Sequence, residues 1–251
     1  SPTMPRMRTL LFLSLVLVGC SDNNNSTPAD AAPDAATVKL DCPTYCSVIM
    51  TNCTGASAQY TDMAHCTGSC AAFTVGTSTV NDMTGDTLGC RIYHAGAAGG
   101  STANATLHCP HAGPGGDLLS AATTAPGFCS GGDFCTNFCA LQIKTCGTTA
   151  APVTLGGTAI TPQYQDMATC VSVCKNGNAG AGIAAFDVTH AYGPTSAGNS
   201  LACRLNHWTN AAANAAVTPP TTASIGATNT HCGHTGAAQM AGMPCNGAPS
   251  P

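Results

Sequence analysis

The sequence predicts a small disulfide-rich, mainly α-helical fold with long loops, built as two tandem helical-hairpin modules of eight cysteines each. Three observations carry this. Seventeen cysteines stand beside only seven Lys and Arg and eleven acids, every acid an Asp. Aromatic residues make up 5% of the 251 residues, too few to build an ordinary core of this length, so crosslinks must share the work of holding the fold. Setting Cys20 aside, the remaining cysteines form two sets of eight with related spacing. The same composition excludes several functions. Charged residues are 7% of the chain, the formal net charge is -4 and the basic residues are scattered singly, so there is no nucleic-acid footprint. A hydrophobic content of 44% argues against global disorder.

From the N-terminus, Arg6 and Arg8 precede an apolar run from Leu10 to Val18, interrupted by Ser14. The run is too short to span a bilayer and suits the core of a signal peptide. It leads into Leu17-Val18-Gly19-Cys20, which resembles a bacterial lipobox. The resemblance implies a lipoprotein whose residues 1–19 are removed as a signal peptide. It also implies diacylglycerol on the Cys20 thiol, and residence in the cell envelope. With Ser21 after the lipidated cysteine, the implied address is the outer membrane, on its periplasmic or extracellular face. Each buried methylene contributes about 0.8 kcal/mol, so two or three acyl chains anchor stably where one does not. The membrane is thus one expected partner, and an envelope or surface protein of unspecified identity another. Residues 20–40 continue as a small, polar, proline-interrupted tether that cannot bury enough apolar surface to fold alone.

The two modules span residues 41–129 and 134–247. Module 1 holds Cys42, Cys46, Cys53, Cys66, Cys70, Cys90, Cys109 and Cys129, and module 2 holds Cys135, Cys139, Cys146, Cys170, Cys174, Cys203, Cys232 and Cys245. Successive gaps are 3, 6, 12, 3, 19, 18 and 19 residues in the first and 3, 6, 23, 3, 28, 28 and 12 in the second, so the short gaps are identical and only the long ones vary. The flanks agree as well. Gln59-Tyr60-x-Asp62-Met63-Ala64 matches Gln163-Tyr164-x-Asp166-Met167-Ala168, and Leu88-x-Cys90-Arg91-x-x-His94 matches Leu201-x-Cys203-Arg204-x-x-His207. His108-Cys109-x-His111-x-Gly113 matches His231-Cys232-x-His234-x-Gly236. The chain is an internal duplication.

At 100° per residue, Cys42, Cys46, Ile49 and Cys53 fall within about 60° on one helix face, as do the corresponding residues of module 2. Met63, Cys66 and Cys70 form a second stripe. Each module therefore begins with two helices whose cysteines face each other, and an antiparallel hairpin pairs residues whose numbers share a sum. That rule pairs Cys42 with Cys70 and Cys46 with Cys66, and in module 2 Cys135 with Cys174 and Cys139 with Cys170. Pairing Cys53 with Cys66 and Cys46 with Cys70 fits nearly as well, and eight cysteines allow on the order of a hundred connectivities. The spacing resembles the twin Cys-x-x-x-Cys hairpins of small mitochondrial intermembrane-space proteins, without implying their function. Asp62 and Asp166 suit the start of the second helix, where the helix dipole favours a carboxylate. Beyond Cys70 and Cys174 the Gly-, Thr-, Asn- and Pro-rich chain reads as loops with short helices, and Thr209 to Ala227 as a stretch without structure of its own.

For an exported chain with an even count per module, four disulfides per module are the simplest use of these cysteines, ahead of zinc held by thiolates. No Cys-x-x-Cys is present for a redox pair or covalent haem attachment. The histidines stand out from the scaffold. Six form equivalent sets, His94, His108 and His111 in module 1 and His207, His231 and His234 in module 2, while His65 and His190 have no counterpart. Three neutral imidazoles suit zinc or copper with a fourth position left open, and a His pair suits haem less well. Arg91 and Arg204 are expected to bond a local carbonyl or Asp. No catalytic elbow, phosphate loop, dinucleotide fingerprint or His-Glu-x-x-His occurs, and nothing points to an enzyme. The composition itself demands no cofactor. Two functions follow: a lipid-anchored structural or interaction module of the envelope, and an envelope metal-binding lipoprotein with one His triad per module.

Overall fold

A computed structural model describes residues 38–76, 82–116, 128–131, 133–177, 184–188, 192–193, 198–236 and 244–246. The expected signal peptide, Cys20 and most of the tether lie outside the described residues, as does His190. Among the described residues, no helix is long and apolar enough to cross a membrane. The fold is mainly helical and disulfide-rich, and among the described residues each module contributes four α-helices. In module 1 they are α1 (Cys42–Asn52), α2 (Met63–Cys70), α3 (Leu88–Ala97) and α4 (Thr102–Ala112). In module 2 they are α5 (Phe134–Cys146), α6 (Met167–Asn176), α7 (Leu201–Ala215) and α8 (Thr222–Thr235). A short hairpin, β1 (Thr154–Leu155) and β2 (Thr158–Ala159), occupies the longer gap of module 2, with Thr154 opposite Ala159. Its turn is Gly156-Gly157, whose φ values of 54° and 82° belong to the left-handed region that glycine adopts freely.

Each of these eight α-helices starts on a side-chain cap. Asp41 accepts from the Thr44 amide at 2.9 Å, Asp62 from His65 at 3.0 Å and Asp166 from Thr169 at 2.7 Å. Asp62 and Asp166 are thus the capping residues themselves, one position before the first turn. Asp133 caps α5, and Thr87, Ser101, Ser200 and Thr221 cap α3, α4, α7 and α8.

The cysteines supply the interior. Bridges Cys42–Cys70 and Cys46–Cys66 clamp α1 against α2, with Cα separations of 5.6 and 5.7 Å. Cys135–Cys174 and Cys139–Cys170 do the same for α5 and α6. The pairs that share a sum are the ones formed, because antiparallel helices place those Cβ atoms opposite each other. Cys53–Cys109 and Cys146–Cys232 carry the end of the first helix of each module to the fourth. Cys90–Cys129 and Cys203–Cys245 tie the third helix to the module's last segment. All eight bonds correspond between the copies. Around them pack Tyr45, Ile49, Phe138, Leu201, Leu205 and Trp208, each almost wholly buried.

Two expectations are corrected. The region after Cys70 and Cys174, expected as loops with short helices, forms helices of 10 to 15 residues, α3, α4, α7 and α8. Thr209 to Ala227 is helical over most of its length, supplying the second half of α7 and the start of α8. Alanine has the highest helix propensity, and here Ala211 and Ala212 are also buried, so a compositionally simple stretch serves as a packing face.

The modules meet through α2 and α7. A Cβ on Gly68 would lie 2.6 Å from the backbone of Ala212, so the two helices touch main chain to main chain. Phe73 of module 1 faces Trp208 at 6.3 Å, and the Lys144 ammonium donates to the Ala72 carbonyl at 3.1 Å. The duplication is broken at this seam. Where α7 continues through Ala212-Ala213, module 1 has Gly99-Gly100, and α3 ends at Ala97.

Candidate metal centre: two histidine triads

The third and fourth helices of each module form an antiparallel pair that brings the histidines together. His94 lies one turn after Cys90 on α3, while His108 and His111 are three apart on α4, hence on one face. Between them Cys109 points the other way, into its bridge with Cys53. His94 Nδ1 lies 3.1 Å from His108 Nδ1 and 3.3 Å from His111 Nδ1. In module 2, His207 Nδ1 lies 3.1 Å from His231 Nδ1 and 3.2 Å from His234 Nδ1. All six sequence-identified histidines thus form two triads with the same atom of every ring turned inward. Three nitrogens bound tetrahedrally to one ion at the usual zinc–imidazole length stand about 3.3 Å apart.

The C-terminal turn of α4, which carries two of the ligands, is fixed from several sides. The Tyr45 hydroxyl donates to the Ala112 carbonyl at 2.7 Å and contacts the Tyr60 hydroxyl at 2.9 Å. Arg91, buried and lying 4.0 Å over the Phe73 ring, donates to the Gly113 carbonyl and to Asp86. A Cβ on Gly113 would fall 2.0 Å from the buried Gln59 carboxamide oxygen, and one on Gly236 2.3 Å from that of the partly exposed Gln163. In module 2 the Tyr164 hydroxyl holds the matching carbonyl, that of Thr235, at 2.9 Å. Arg204 lies 3.6 Å over Phe186 and donates to the Ser200 carbonyl at 3.2 Å. Both arginines therefore serve local structure.

The second-module rings are held in the neutral form. Burial, and then repulsion from His234 and His231, lowers His207 from 6.5 to about 4. Burial also lowers His231, His234 and, in module 1, His108, with neighbouring imidazoles adding to the effect on His231 and His108. At neutral pH these rings carry lone pairs, the state a metal requires. A pH dependence follows for the metal-free protein. His207 protonates near 6.5 in the unfolded chain but only at about 4 in the fold. The unfolded chain therefore takes up the proton first as pH falls. Its stabilising contribution is complete above 6.5 and is lost toward 4. Because the ring is only partly buried, the loss is discounted to about 1–2 kcal/mol. Urea midpoints should fall between pH 7.5 and 4.5, and an unchanged midpoint would contradict the assignment.

The proton arrangement of the first triad is set by its surroundings. His94 Nε2 lies 3.0 Å from the Met83 carbonyl, which can only accept, so Nε2 carries the hydrogen. In the neutral ring Nδ1 is then a lone pair, and two further imidazole nitrogens converge on it. One lone pair accepts one well-directed hydrogen bond, so no distribution of protons among the neutral rings satisfies both contacts equally. A Lewis acid at the centre uses one lone pair from each ring instead.

Each central histidine also has a disulfide beside it. Ligating atoms of Cys90, His94 and Cys129 lie within 4.8 Å of one another, as do those of Cys203, His207 and Cys245. With the sulfurs already bonded in pairs, the imidazoles are the available ligands. Sequence reasoning missed three neighbours of the triads: Met83, Phe128, and His65 of module 1. His65 bonds Asp62 at 2.7 Å and, across the seam, Asn210 of α7 at 3.1 Å. The position of Phe128 directly before Cys129 was the only available signal.

A family model described as the BfoA family C-terminal domain matches residues 21–137. The match takes in the first triad and ends within α5. No curated protein and no solved structure matches the chain.

Proposed function

We propose that this chain is a metal-binding lipoprotein of the cell envelope, carried on the membrane by Cys20 and holding one zinc or copper ion in each module. The observation that supports it is the approach of two imidazole Nδ1 atoms to within 3.1–3.3 Å of the Nδ1 of a central histidine, His94 or His207, in both copies. A scaffold or interaction module needs capped helices and crosslinks, and these are supplied elsewhere by Asp, Ser, Thr and the disulfides. It has no need for three imidazoles crowded about one point. Neutral imidazole suits both zinc and copper. Haem fits less well, because its two axial imidazoles stand on opposite faces of a macrocycle, whereas these rings are in mutual contact.

Purified, tag-free protein offered zinc or copper and then desalted should retain two equivalents by elemental analysis. His108→Ala should remove one equivalent and His231→Ala the other, with the double variant retaining almost none. Near-complete loss of metal from the unaltered protein on desalting would overturn the proposal and leave the structural or interaction role.

A further inference from the structure

The two triads share their ligands but not their cover. In module 1 the Phe128 ring stacks on His111, with centroids 4.3 Å apart and planes 29° from parallel, and meets His94 edge-on at 5.3 Å. His94 and His111 are left 3% and 5% exposed, while His108 remains partly exposed. Phe128 is fixed there by the Cys90–Cys129 bridge and by the Gly85 amide, which donates to its carbonyl at 2.7 Å. Module 2 keeps the same main-chain device: the Gly198 amide donates to the Pro244 carbonyl at 3.0 Å, beside the Cys203–Cys245 bridge. Positions 128 and 244 are therefore equivalent, and the second carries a proline where the first carries an aromatic ring. His207, His231 and His234 are all partly exposed.

From this difference, and resting on the metal reading above, we infer that the modules divide the work. The first triad is the more closed, retaining site, with His94 and His111 capped by Phe128. The second is an open, exchanging site whose remaining coordination position accepts small nitrogen or sulfur donors, the ligands through which an ion passes from one chelator to another. Metal leaves such a site by ligand substitution, in which an incoming donor attaches before an imidazole departs. A ring packed on the imidazoles obstructs that approach at the first site, and nothing equivalent does so at position 244.

The test uses the full protein in two arms. In the first, zinc release to a coloured pyridylazo chelator is timed for His231→Ala, which keeps the first site, and for His108→Ala, which keeps the second. Release from the first site should be slower by at least about tenfold, and adding Phe128→Ala to the His231→Ala protein should close the gap. The second arm needs no metal. Diethyl pyrocarbonate is applied to the metal-free protein and the modified peptides are quantified by mass spectrometry. His207 and His234 should react faster than His94 and His111, and Phe128→Ala should bring His94 and His111 up to their rate. Equal reactivity of the two triads, or no response to Phe128→Ala in either arm, overturns the inference. If zinc fails to bind but the reactivity difference and its dependence on Phe128 hold, the metal proposal falls and the closed-against-open distinction stands.

Discussion

Replacing Trp208 with alanine is expected to destabilise the protein by about 3–5 kcal/mol, the range for emptying a large buried aromatic site. The ring is fully buried. Its indole nitrogen donates to the Leu141 carbonyl at 2.9 Å and to Thr145 Oγ1 at 3.0 Å, and its face meets Phe73 of the other module. Alanine thus leaves a cavity at the seam and removes the donor from two acceptors on α5. Trp208→Phe restores most of the volume but not the N–H, and should lose a smaller amount, about 1–2 kcal/mol. Chemical denaturation of the three proteins measures both steps. A Trp208→Ala midpoint indistinguishable from the parent would mean that the seam contributes nothing. Module 1 shows why the ring belongs here: its equivalent position is Ala95, whose carbonyl accepts from Asn52 at 2.9 Å in close packing between α3 and α1. Only the third helix that faces the other module, α7, carries the large side chain.

The paired substitution Cys53→Ser, Cys109→Ser is expected to cost about 4 kcal/mol by the loop-closure argument, since the bridge spans a sequence separation of 56 residues. Its consequence for the site is separable from its consequence for stability. Cys109 stands between His108 and His111, and its bond to α1 locks the face of α4 that presents both rings. The variant should therefore lose zinc from the first site while the second retains its equivalent, even under conditions where the fold persists by circular dichroism. Retention of both equivalents would show that Tyr45, Arg91 and Gln59 orient α4 without the bridge.

Legibility in the sequence followed locality. The α1–α2 and α5–α6 hairpins could be read because three- and six-residue gaps fix a helical stripe, and two facing stripes fix a sum rule. The bridges Cys53–Cys109 and Cys90–Cys129 could not, since they join segments whose geometry depends on the whole module. Helices α3, α4 and α8 were hidden by Gly, Thr, Asn and Pro, including Pro110 inside α4. Such helices draw their stability from crosslinks and tertiary contacts more than from intrinsic propensity. The histidines were identifiable as a duplicated set, but their convergence required the antiparallel return of α4 and α8, which no spacing of 13 or 23 residues between them reveals.

The seam also limits how many copies of this unit can be strung together. A preceding module would have to dock on α3, which stops at Ala97 ahead of Gly99-Gly100 and lacks the alanine surface that receives α2. A following module would have to press its backbone against α6 at Ser172, the counterpart of Gly68, where a side chain now stands in the way. Each outward face is thus mismatched to the inward one. A repeat that associates head to tail would otherwise extend into a filament, and here neither outward face can repeat the α2–α7 contact.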